Sequence, residues 1–320
     1  KSKAESHAIE NVSSCQSDNQ VNDGSEDGEE DVINDGETGN TKTEAWTFDN
    51  SDGYLLIDII NITSIATSGG VLADRKSHCK FFQEHSASQC TLNEWKNKVR
   101  ESNCTLIAGP TDPETTHFGG VGAICHEAIK MTPYVPNGTD YDEAFKLGRL
   151  MGCWLECPNA SILCFNIYGW TGADKCDEAL QRTDDLLCII DEEIGYHPGV
   201  HAMIVGDFNA SAHRIPVMQT MTDEQGSTDC GKYADLWGGT PCQPTCRAGI
   251  NTKQTRIDYV LVNTPLLPAV KGFQTDTCDD FHKHQPNQLK IDVGELKQEA
   301  DRYRKTTSAS KKIQYVIDDA

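Results

Sequence analysis

Residues 204–210 read Ile-Val-Gly-Asp-Phe-Asn-Ala, an apolar run that ends in a carboxylate, Asp207, and a carboxamide, Asn209. On a strand, side chains two apart share a face, so both groups would stand on one side of its end. There a carboxylate and an amide can hold and orient a water molecule. The same pair is also a common turn that bonds its own backbone. A second carboxylate, Asp258, lies inside the β-branched run T-R-I-D-Y-V-L-V over 255–262. Unpartnered there it would cost roughly several kcal/mol. Arg256 is its nearest candidate partner, and a distant His or Arg is the favoured one. Histidines two apart precede a proline in H-K-H-Q-P (282–286), which places His284 among the candidates. Glu84, after the short apolar run Phe81-Phe82, is either a hard oxygen ligand for Mg2+ or a solvent-facing acid at a strand end. Asn61, inside the first apolar run, needs a reason to be there: a hydrogen-bonded core amide or a site group. Tyr168, in N-I-Y-G, reads on its own as a packed aromatic.

These groups must be positioned by elements, and the patterning shows several. L-L-I-D-I-I-N-I (55–62) has strand length, and Leu163–Tyr168 is another apolar strand. Cys104–Ala108 and Val121–Ile124 read as strands, with Gly119-Gly120 a tight turn between them. Thr91 and Glu94 form a T-x-x-E capping box at the start of a helix over Leu92–Glu101. Asp174–Ile194 is the longest helix, with apolar residues at 179, 180, 186, 187, 190 and 194, closed by His197-Pro198-Gly199. The strand Ala202–Val205 follows and feeds Asp207; Arg256–Val262 is one more, ended by Pro265. Strands and helices alternate without the strict order of a doubly wound fold, so the reading is antiparallel or mixed sheets packed with helices.

The chain of 320 residues carries a net charge of −21, and its 37% apolar content is low for a globular protein. Residues 1–52 account for much of both: fourteen Asp and Glu against three Lys, with almost no aliphatic run. They read as an acidic disordered tail. The folded domain is placed at 53–295, with a charged, helical surface tail over 296–320. No apolar stretch is long enough to span a membrane, and the acidic balance excludes a bulk polycation that coats nucleic acid through charge alone. Most of the fourteen cysteines sit in apolar runs, as Cys125, Cys164 and Cys188 do, and read as buried thiols. Cys153/Cys157 and Cys242/Cys246 lack the flanking histidines or second pair that zinc would need. Sequons at Asn61 and Asn209 fall on site candidates, where a glycan would be ruinous. The thiols then favour a reducing intracellular setting.

In chain order the motifs are N-I-T-S (61–64), Q-E-H (83–85), G-G-V-G (119–122), N-I-Y-G (166–169), G-D-F-N (206–209), R-I-D-Y (256–259) and H-Q-P (284–286). Over residues 54–293 this order and spacing resembles the endonuclease/exonuclease/phosphatase superfamily, the DNase I-like metal phosphodiesterases. The helix ending in His-Pro-Gly before G-D-F-N is most similar to the endonuclease domains of non-LTR, LINE-type retroelements. The resemblance implies an α/β four-layer sandwich of two mixed sheets flanked by helices. It also implies roles: Glu84, helped by Asn61, would hold one Mg2+, for which Mn2+ could substitute. Asp207 would be the base that takes a proton from water, and Asn209 would orient that water or the phosphate. His284 would donate to the transition state, Asp258 would orient His284 and keep it protonated, and Tyr168 would contact the phosphate. One position departs from the pattern: Lys283 stands where the family usually has an acid before the final His.

Three functions compete on this evidence. The first is a Mg2+-dependent DNA endonuclease, monomeric and nuclear if of retroelement type, with Arg75, Lys76, Lys80, Lys96, Lys98 and Arg100 as its basic face. The second is a phosphatase on inositol phosphates or other small phosphoesters, which suits the acidic surface. The third is a catalytically inactive retroelement-derived domain, which Lys283 favours.

Overall fold

The computed structural model describes residues 53–113, 119–157, 160–247, 254–281 and 283–296. The acidic segment 1–52, the tail beyond Leu296 and His282 lie outside the described residues. In chain order the first half holds β1 (Tyr54–Asn61), α1 (Ile65–Asp74), β2 (Cys79–Gln83), α2 (Gln89–Glu101), β3 (Cys104–Ala108), β4 (Val121–His126), β5 (Lys130–Pro133), α3 (Thr139–Lys146) and β6 (Leu150–Glu156). The second half holds β7 (Ser161–Tyr168), α4 (Asp177–Gly195), β8 (His201–Asp207), α5 (Pro216–Asp223), β9 (Thr228–Asp229), β10 (Asp258–Val262), β11 (Val270–Thr275) and β12 (Asn287–Asp292). The strands form two six-stranded mixed sheets, ordered β11-β12-β1-β2-β4-β3 and β5-β6-β7-β8-β10-β9. Within them, β1 runs parallel to β2 and β7 parallel to β8.

Strand alternation explains the layers. Leu55, Ile57 and Ile59 of β1 enter the core between the sheets, while Ile60 and Ile62 pack outward with Leu72 of α1 and Trp95 of α2. In the second sheet Cys164, Met203, Val205, Val260 and Val262 face inward. Phe165, Ile204 and Leu261 face outward against Tyr141 of α3, Leu187 of α4 and Met218 of α5. With both faces of each central strand covered, the apolar runs of the sequence are unbroken, as strands buried on two sides require. Among the described residues no helix is long and apolar enough to cross a membrane.

Several expected boundaries move. The cap of α2 is Ser88, whose Oγ accepts from Thr91 N at 3.2 Å, so the helix begins before the expected Thr91–Glu94 box. Gly119 and Gly120 do not close a tight hairpin: they have φ of 82° and 86° and lie in a long connection from β3 to β4. Both are held by contacts to the segment after β2, since their carbonyls accept from Ser86 N and His85 N. The strand around Asp258 begins at that residue rather than at Arg256. Patterning gave no element at α1, where Gly69 and Gly70 depress helix propensity. A Cβ on Gly69 would lie 3.0 Å from the Trp95 ring, a tight contact that the indole would have to yield to by a few tenths of an ångström. Nor did it give β12, whose Asn287 and Gln288 are polar yet buried because neighbouring strands satisfy them.

Candidate functional site

The inward rows of the two sheets end at a common edge, and there the apolar series turns polar. In β1 the series Ile57, Ile59 continues to Asn61; in β8, Met203 and Val205 continue to Asp207. In β10, Val262 and Val260 lead back to Asp258, and β7 contributes Tyr168. Register joins them within the second sheet, since Asp207 is the Cα partner of both Asp258 and Tyr168. Across the sheets, Asn61 Nδ2 donates to Asp207 Oδ2 at 2.8 Å. The fourth group arrives on the segment before β12. Gln285 N donates to Thr245 O at 2.7 Å and Arg247 N to Lys283 O at 2.7 Å, which sets His284 over Asp258. His284 Nδ1 lies 3.0 Å from Asp258 Oδ2, and its Nε2 lies 3.9 Å from Asp207 Oδ2. Asn61, Asp207, Asp258 and His284 are all buried.

Asn209 takes up the turn reading of its motif. Its backbone N–H donates to Asp207 Oδ1 at 2.8 Å, as in a turn, with φ of 54°. Its Nδ2 donates to Gly169 O at 3.0 Å, a bond that fixes the carboxamide's orientation. Asp207 therefore has one oxygen on the Asn61 amide and the other on a backbone N–H.

Electrostatics differentiate the groups. Burial, then the facing Asp258 charge, pushes the Asp207 carboxyl up to about 7, while His284, Asn61 and the Asn209 N–H act the other way. A carboxylate there is matched to taking a proton near neutral pH. Burial opposes charge on His284, but the Asp258 charge and hydrogen bond, with Asp207 beyond, hold the imidazolium well above the ordinary histidine value. The Tyr168 phenol is pushed up by burial and then by the Glu84 and Asp207 carboxylates, so it stays a neutral hydroxyl.

Glu84 follows β2 at φ of 58° and is half-buried, and among the described residues no hydrogen bond uses its carboxylate. Asn61 Oδ1 accepts from Thr63 N at 2.9 Å and retains one lone pair. An uncommitted carboxylate with an amide oxygen is an all-oxygen donor set, which fits a hard divalent cation. Asp207, Asp258 and His284 also offer ligand atoms within 4.8 Å of one another. Lys283 is exposed, so its charge is not enclosed with these groups.

Three contributors were not found by sequence reading. Arg149 is buried, donates to Gly169 O at 3.1 Å and lies over the rings of Tyr168 and Trp170 at 4.9 and 5.0 Å. It thus shares an acceptor with Asn209 and backs the Tyr168 ring. The signal for it was an arginine after Gly148 at the head of the apolar run Leu150–Leu155. Thr245 accepts from the N–H groups of Ile257 and Asp258 through its Oγ1. Asn166 links the sheets, donating to Phe82 O and Gly122 O, each at 2.9 Å. The proposed basic face is corrected in part. Arg75 is paired with Asp58 and Asp276, and Lys80 is buried, so neither is offered to a polyanion. Arg256 pairs with Asp229 rather than with Asp258.

The fold has known counterparts. A 3'-5' exonuclease from Neisseria meningitidis aligns at TM-score 0.58 with 15% identity, covering 74% of this chain and 100% of its own. An AP endonuclease from Archaeoglobus fulgidus aligns at 0.59 with 14% identity over 75% and 100% of the two chains. The endonuclease domain of TRAS1, a telomere-specific non-LTR retrotransposon, aligns at 0.53 with 14% identity over 74% and 98%. No curated protein sequence matches the chain significantly. A family model does match it, over residues 82–280, which runs from the end of β2 through β11 and takes in, of the site, Glu84, Tyr168, Asp207, Asn209 and Asp258. On that match the chain belongs to the endonuclease/exonuclease/phosphatase family.

Proposed function

We propose that the chain is a divalent-metal-dependent phosphodiester hydrolase, a DNA endonuclease of retroelement type, carried by the domain at 53–295. The observation that carries this reading is the convergence of Asn61, Asp207, Asp258 and His284 from two opposed sheets, with the uncommitted Glu84 carboxylate nearby. The likeness to the TRAS1 endonuclease fold supports the retroelement assignment.

A phosphodiester repels hydroxide, so hydrolysis needs a positioned water and donors aimed at the charge that develops on phosphorus oxygens. Asp207 takes the proton of the attacking water. Asn209, held by Gly169 O, orients that water. His284 presents Nε2 as a charged donor to the phosphate while Asp258 holds Nδ1 and fixes the ring. Tyr168, backed by Arg149, donates its hydroxyl to a non-bridging oxygen. Mg2+ or Mn2+ held by Glu84 and Asn61 would supply Lewis-acid neutralisation of a phosphate oxygen when bound.

The test is nicking of supercoiled plasmid with Mg2+ or EDTA, beside Asp207→Ala and His284→Ala. Metal-dependent nicking lost in both variants is the expected result. A folded protein that nicks neither before nor after Lys283→Asp overturns the endonuclease. Turnover of inositol phosphates or small phosphoesters by that same protein would then favour the phosphatase reading, and silence there the inactive domain.

A further inference from the structure

Four cysteines form a layer in the core between the sheets, away from the site. Cys79 and Cys125 are direct partners on β2 and β4, and Cys153 and Cys164 are direct partners on β6 and β7. All four are 0% exposed and belong to the inter-sheet core. Both pairs turn their side chains into that core, where the Cys125 thiol donates to Ile129 O and the Cys164 thiol to Ile162 O.

The ladders distinguish the two pairs. His126 N donates to His78 O, so 78/126 is a hydrogen-bonded pair and the adjacent 79/125 is a non-hydrogen-bonded one. Cys157 N donates to Ala160 O, and the unbroken register from there makes 153/164 a hydrogen-bonded pair. Non-hydrogen-bonded partners have Cα atoms about 4.5 Å apart with side chains close, against about 5.5 Å for the other kind. A disulfide needs Cα atoms about 4.4–6.8 Å apart. Sheets stacked about 10 Å apart put cysteines on opposite sheets beyond that reach. The layer therefore allows bonds within a sheet, with the closest approach at 79/125.

We propose that Cys79 and Cys125 are a disulfide site, closed as the chain folds in the presence of a small-molecule disulfide. A thiolate of one residue attacks the small disulfide and forms a mixed disulfide, releasing one small thiol. The second cysteine, as thiolate, then displaces the other small thiol. Two protein thiols are oxidised and one small disulfide is reduced to two thiols. Once the sandwich has closed, burial raises the Cys79 thiol well above its usual range and shuts out the oxidant, so the reduced pair then persists. The bond would clamp β2, the strand that runs into Glu84, to β4, while touching no group of the site.

The full chain, unfolded and refolded in mixed oxidised and reduced glutathione, tests this by peptide mapping without reduction. The expected product is a Cys79–Cys125 cross-linked peptide. The thermal midpoint should rise by about 5–10 °C over the reduced protein, a gain absent when refolding is done with reductant alone or in Cys125→Ala. Folded protein from that buffer in which both residues still react with an alkylating agent after denaturation overturns the proposal. So does a bond at Cys153–Cys164 in its place. Mapping is made on the wild-type chain, so the outcome does not depend on whether the variant folds.

Discussion

Asp58 and Asp207 are each 1% exposed on central strands, yet their surroundings differ in kind. Asp58 accepts from Arg75 Nε at 2.6 Å, Ser77 Oγ at 2.8 Å and Gln288 Nε2 at 2.8 Å, and Arg75 goes on to Asp276 at 3.0 Å. Its charge is met by a guanidinium in contact, and its lone pairs are spent. Asp207 has neutral donors at 2.8 Å, a second carboxylate as its register partner, and a cation whose nearest atom is 3.9 Å away. One cluster is arranged to keep its protons where they are. The other sets a carboxylate raised toward neutrality beside an imidazole held between two carboxylates. Burial alone therefore does not identify a reactive carboxylate; the balance of partners does.

Exchanging the carboxylate in each cluster sharpens the contrast most. Asp207→Asn should lower metal-dependent nicking by about 10³-fold. It should also raise stability in chemical denaturation, because a charge facing Asp258 is gone. Asp58→Asn should do the reverse: a loss of about 3–5 kcal/mol in denaturant titrations, with nicking per folded molecule unchanged. A stable Asp58→Asn protein would break the comparison.

The pH dependence separates the clusters next. A histidine whose folded pKa is raised contributes stability that is full below its ordinary value near 6.5 and is lost as pH rises through the folded value. His284 predicts such a loss on the alkaline side. In Asp258→Asn the loss should move to lower pH, read from denaturation midpoints over about pH 6–10. Coincident profiles for the two proteins would remove Asp258 as the group that holds the charge. The smallest effect concerns the cation: Mg2+ at about ten times its Kd should stabilise the wild type by about 1.4 kcal/mol in thermal unfolding. Glu84→Gln should lose that gain, while Asp58→Asn should keep it from its lower baseline.

Local chemistry made much of this legible. The apolar runs over 55–62, 163–168 and 202–205 are strands because both faces of each are covered, and α4 follows its helical spacing up to His197-Pro198-Gly199. Asp207 and Asn209 could be paired from sequence because their relation is two residues of backbone. Elements whose residues contradict their burial were not legible. The polar strand β12 is central because Gln288 is answered by Asp58 and Gln274, residues from two other strands. Arg75 and Lys80 read as part of a basic face because their charge is visible in sequence and their partners and burial are not.

What the sequence by itself determined is the set of chemical groups, the alternation that turns each group to one face of its strand, and the order of motifs that marks the family. Local rules suffice for these, since side-chain direction along a strand follows from the backbone within a few residues. What only the tertiary structure decided is which groups meet. Asn61 reaches Asp207 across the sandwich, His284 rather than Arg256 answers Asp258, and Cys79 faces Cys125 rather than a cysteine of the opposite sheet. Each of these depends on sheet order and register, and pairings between distant segments are set by the packing of the whole core, which no local stretch of sequence encodes.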